Sequence, residues 1–107
     1  MVFPWENKAK RCEPMPDGLK QSEQLAYQSI ALLAARYRLG GLSDEQAIKD
    51  RKKIDQRYLL DSANEGYIQW TVDLRKRIEV AQSKYRLERT IEAADLLSDV
   101  LDGFVRI

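Results

Sequence analysis

Apolar residues recur along this chain at helical spacing. Ala26, Ile30, Leu33 and Tyr37 fall at i, i+4, i+7 and i+11, one face of a helix. Leu25 and Leu32 lie off that face, so the helix is packed on more than one side. Ala31, Ala34 and Ala35 let a neighbour approach closely. The pattern predicts a first helix over residues 21–38, stopped by Gly40-Gly41, with Gly40 suited to the left-handed position after a helix end.

A second helix starts at Ser43. Ser43-Asp-Glu-Gln46 is a capping box, in which Ser43 accepts from the N–H of Gln46 and the Gln46 side chain reaches back. Leu42 precedes it and pairs with Ala47 as a hydrophobic staple. Ala47, Ile54 and Tyr58 face the first helix, while Lys49, Arg51, Lys52, Lys53 and Arg57 occupy the opposite side among acidic residues. From Leu60 onward the stripe Leu60, Ala63, Tyr67, Trp70, Leu74, Ile78, Ala81, Tyr85 advances in steps of three and four, the seam of a coiled coil. One unbroken helix to Arg86 would be about 66 Å long. The stripe changes phase between Tyr58 and Ala63, and Gly66 follows; a kink or break near residues 61–66 is the alternative. Thr90 then caps a last helix over residues 91–102, ended by Gly103.

The fold expected is therefore all-α: an antiparallel helical hairpin on a long central helix, with a short C-terminal helix. Residues 1–19 hold every proline of the chain and read as an irregular arm, before a single helical domain over residues 20–107. Phe3 and Trp5 are large apolar groups in that polar arm. Either they tuck into a groove of the helical core, or they anchor another protein.

Composition narrows the chemistry. Lys plus Arg is 18 against 17 Asp plus Glu, a net charge of +1, so bulk charge favours neither nucleic acid nor a membrane surface. With no His, the commonest general base and zinc ligand are missing, along with every Ser-His or Cys-His arrangement. The lone Cys12 has no C-x-x-C partner and fits a reducing compartment. No phosphate-binding glycine motif occurs. No apolar run is long enough for a membrane span or signal peptide, so the expected location is the cytoplasm. No catalytic residue, cofactor or metal is assigned, and the chain is expected not to be an enzyme.

Candidate contact residues remain. Tyr67, Trp70 and Leu74 are hard to cover with the short helices available, and an exposed aromatic stripe usually marks an interface. A homodimer through the long helix is the simplest cover. Glu88, Glu92, Asp95, Asp99 and Asp102 line one face of the last helix. That face either docks on a basic partner or is merely solvated; a hard cation is a further possible occupant. Arg75, Lys76 and Arg77, with Lys84, Arg86 and Arg89, form the basic cluster best placed for nucleic acid, though interspersed acids give it the look of a mixed-charge helix face.

Three runs carry a resemblance. They are Met15-Pro-Asp-Gly-Leu-Lys-Gln-Ser-Glu-Gln-Leu-Ala-Tyr27, Tyr37-Arg-Leu-Gly-Gly-Leu-Ser-Asp-Glu-Gln-Ala-Ile48 and Tyr85-Arg-Leu-Glu-Arg-Thr-Ile-Glu-Ala-Ala-Asp95. Together they resemble small uncharacterised helical proteins of Firmicutes phages and prophages. The matching positions are caps and core residues, so the resemblance implies a fold and a mobile-element origin, not a site. By analogy it implies a non-enzymatic protein that binds a host or phage protein, such as an inhibitor of a bacterial defence system like CRISPR–Cas (an anti-CRISPR). The alternative is a nucleic-acid-associated accessory protein of phage replication or regulation.

Overall fold

In a computed structural model, the residues described are 2–63, 76, 77, 79–81, 83, 84, 92 and 95. The protein is all-α, every regular element among the described residues being a helix: α1 (Glu6–Lys10), α2 (Gln21–Arg38) and α3 (Asp44–Ala63). α2 and α3 pack against each other as the expected hairpin, and α1 lies against α2. Glu92 and Asp95, inside the expected C-terminal helix, are helical too.

The ends of α2 follow from its sequence. At its start the Glu23 carboxylate accepts from the Lys20 backbone N–H at 3.3 Å. At its end the Gly41 N–H donates to the Arg36 carbonyl (3.0 Å) and the Gly40 N–H to that of Tyr37 (3.1 Å). This six-to-one plus five-to-two pair is a Schellman motif with Gly40 in the left-handed position, φ 78°. A Cβ on Gly40 would meet nothing within 4 Å, so only backbone strain opposes a side chain there. Gly40→Ala is expected to lower unfolding free energy by about 1–2 kcal/mol in urea titrations, whereas Gly41→Ala, with no positive φ, should cost less.

The cap of α3 is half of the one expected. The Gln46 N–H donates to Ser43 Oγ at 3.1 Å, but the Gln46 side-chain amide turns forward and donates to Asp50 at 2.8 Å. A carboxylate one turn on is a stronger acceptor than a neutral group at the helix start.

The arm is more ordered than its prolines suggest. Phe3 and Trp5 are buried, and α1 follows them directly. Their rings stack at 4.4 Å; Phe3 meets Tyr58 of α3 edge-on at 4.8 Å, and Trp5 tilts against Tyr27 of α2 at 5.3 Å. With Ala9, Ala26 and Ile30 these residues form the main core, and Ile54 and Tyr58 pack on it as expected. The arm thus fills the junction of the hairpin, and the first of the two readings of Phe3 and Trp5 holds. Polar ties fix it. The Trp5 indole N–H donates to Glu23 at 3.3 Å, and the fully buried Tyr27 hydroxyl donates to the Glu13 carbonyl at 2.6 Å. Cys12, φ 56°, turns the chain out of α1 and packs with Ala31 and Ala35 in a second small cluster.

Of the long helix expected from Ser43 to Arg86, residues 44–63 form α3, and Lys76, Arg77, Glu79, Val80, Ala81, Ser83 and Lys84 are helical as well. Gly66, at the suspected break, lies outside the described residues. Among the described residues no helix is long and apolar enough to cross a membrane.

Candidate functional site

Ion pairing between the arm and α3 shapes one side of the hairpin. Arg51, expected opposite the first helix with the other basic residues, is instead half-buried and faces α1, because it falls one turn from Ala47 on the stripe of Ile54 and Tyr58. Its guanidinium donates to Glu6 at 2.5 Å and to Asp55, one turn along α3, at 3.0 Å. It also lies 5.9 Å from the centre of the Phe3 ring. Lys10 adds a second cation to Glu6 at 3.1 Å. Glu6 is buried, yet the Arg51 hydrogen bond outweighs desolvation and, with Lys10, holds its pKa down to about 2. Arg51 is pushed up in turn, mainly by Glu6.

Beside this network runs a groove of about 870 Å³ between α2 and α3. Its α2 wall is Ile30, Leu33, Ala34 and Tyr37, at i, i+3, i+4 and i+7. Its α3 wall is Asp44, Ala47, Ile48 and Arg51, at the same spacing. Each wall is a two-turn stripe of the kind a helix offers to a neighbour. Ile48 is 59% exposed and Tyr37 47% exposed, so the groove is open to solvent. The Tyr37 hydroxyl donates to Asp44 at 2.5 Å and closes one end; that carboxylate raises the Tyr37 pKa above its ordinary value. Lys10, Arg38 and Lys52 stand on the rim.

A smaller groove of about 480 Å³ opens on the other side of the hairpin, lined by residues such as Ser29, Leu32, Arg36, Lys53 and Asp61. There Arg36 pairs with Asp95 of this same chain at 3.4 Å. Among the described residues the two sides of the hairpin therefore differ: one carries a contact from Asp95, and the other presents an apolar floor under a cationic rim.

The contact residues inferred from sequence fall mostly elsewhere. Tyr67, Trp70, Leu74, Arg75, Glu88, Asp99 and Asp102 lie outside the described residues. Of the acidic face, Glu92 is exposed, and Asp95 is engaged with Arg36 in a surface pair of the kind that contributes under about 1 kcal/mol. Lys76 and Arg77 are exposed. Of the aromatic seam, Leu60 is 68% exposed and Ala81 is buried. Sequence reasoning missed the larger groove. The signal was the adjacent apolar pair Ala47-Ile48: one residue continues the stripe toward α2, and the other has no place on it.

Among the described residues no group of three or more His, Cys, Asp or Glu is placed to hold a metal ion. No family model matches the chain, and neither a curated protein nor a solved structure matches it.

Proposed function

We propose that this protein acts by binding another protein, without chemistry of its own, and that the groove between α2 and α3 is the contact surface. The observation that carries the proposal is the pair of matched two-turn stripes, with Ile48 left 59% exposed at the centre of the α3 stripe. An apolar residue so placed on a packed hairpin supports an interface reading. The resemblance to phage and prophage proteins supports a setting in the cytoplasm of a bacterial host. There the most specific form of the function is inhibition of a defence system such as CRISPR–Cas.

Site-specific photocrosslinking tests the contact. A photoreactive phenylalanine analogue at position 48 should trap one discrete host or phage protein, whereas the same probe at position 49 should not. In hosts that restrict a phage by CRISPR–Cas, expression of the chain should raise plaque counts, and Ile48→Glu should abolish the rise. Absence of a crosslinked product at position 48 would remove the groove as contact surface. Plaque counts unmoved by expression would remove the inhibitor form.

The second reading, association with nucleic acid, is favoured by one observation. Lys76, Arg77 and Lys84 are all exposed on helical segments. Phosphate contacts release counterions, so such binding would weaken steeply with salt.

A further inference from the structure

Resting on the reading above, we propose that the occupant of the α2–α3 groove is an amphipathic helix of a partner protein, apolar along one stripe and flanked by carboxylates. The walls specify a helix. Ile30, Leu33, Ala34 and Tyr37 on α2, and Ala47, Ile48 and Arg51 on α3, repeat at the spacing by which a third helix seats against two others. Ala34 and Ala47, one on each wall, are small and leave room for large apolar anchors. The walls extend over eight residues, a rise of about 10 Å, which accommodates two turns of the incoming helix and anchors at i, i+3, i+4 and i+7.

The rim specifies the flanks. Among the described residues, Lys10, Arg38, Arg51 and Lys52 line the groove against one lining carboxylate, Asp44, which already accepts from Tyr37. Glu6 and Asp55 answer Arg51 from behind, and Glu6 also answers Lys10. Even with both of those carboxylates counted, the cations are in excess on the side open to solvent. An incoming helix with acids beside its apolar stripe meets complementary charge, while a basic one is repelled. The apolar floor distinguishes this from a phosphate site, because a polyanion would leave Ile48, Ala34 and Ala47 uncovered.

Two stapled fourteen-residue peptides test the proposal, used with the full chain. Both carry Leu at i, i+3, i+4 and i+7; one has Glu at the flanking positions and the other has Lys. By fluorescence anisotropy the Glu peptide should bind at least about tenfold more tightly than the Lys peptide, and its affinity should fall with salt. Ile48→Glu should weaken it by about thirtyfold or more, and Arg38→Glu with Lys52→Glu by about tenfold. Each variant is checked for unchanged helicity by circular dichroism. Equal binding of the two peptides, no binding of either, or binding indifferent to Ile48→Glu would overturn the proposal. So would displacement of the Glu peptide by a DNA oligonucleotide, or a crosslink at position 48 to a second copy of this chain. Failure of the peptides alongside a crosslink at position 48 to a foreign protein would sink the acidic-helix occupant and leave protein binding standing.

Discussion

Trp5→Ala is expected to unfold with about 3–5 kcal/mol less free energy than the parent chain, the usual cost of deleting a buried large aromatic. Trp5 is 6% exposed, stacked on Phe3 and tilted against Tyr27. Its removal opens a void where arm, α2 and α3 meet, and leaves the Glu23 carboxylate with the Lys20 N–H but without the indole donor. For a domain whose total stability lies in the range of about 5–15 kcal/mol, that is a large fraction. Urea titration followed by circular dichroism at 222 nm reads the change in midpoint; the slope should stay the same if the denatured ensemble is unaltered. Parent-like unfolding together with loss of partner binding would return Trp5 to the role of an external anchor.

Arg51→Met is expected to show a penalty that depends on pH. Its side chain is 20% exposed and that of Glu6 11% exposed. Losing the cation leaves Glu6 buried with Lys10 alone. The cost at neutral pH should be about 2–4 kcal/mol, at or below that of breaking a fully buried pair. The sign follows from Glu6. Its pKa is depressed from the ordinary 4.5 to about 2 in the folded chain. Its contribution is therefore fully present above pH 4.5 and is lost as pH falls toward 2. In that window the parent should lose stability faster than Arg51→Met, and the gap between them should narrow. A gap that stays constant from neutral pH to pH 2 would mean that Arg51 acts through its contact with the Phe3 ring and its aliphatic stem.

Much of this architecture was legible in the residues. The bounds of α2 were readable because each end carries a local signal: the apolar run begins soon after Gly18, and Gly40-Gly41 supplies a left-handed turn that no other residue pair there would take as cheaply. Ile54 and Tyr58 were readable from helical period alone. The role of Arg51 was not. Its charge suggests a solvated position although its period, four residues after Ala47 and three before Ile54, puts it on their stripe; only the arm, folded over from nearly fifty residues upstream, supplies Glu6 and Phe3 to hold it there. The groove was hidden for a related reason. A stripe of apolar residues announces that something covers it, but Ile30 and Ala47 are consistent with burial inside the hairpin. Ile48 becomes informative only once α2 is seen to leave it open.

Phe3 and Tyr58, which meet edge to face, are separated by 55 positions in the order of synthesis. At about 5–20 residues per second, the ribosome needs about 3–10 s to make the partner that Phe3 packs against. Between the emergence of Phe3 from the tunnel and that of Tyr58, the slot that the Phe3-Trp5 pair fills is incomplete. The nascent chain thus carries an uncovered apolar pair, suited to capture by holdase chaperones. Slowing translation over α3 should lengthen that exposure and lower the yield of folded protein, even though every codon still specifies the same residue.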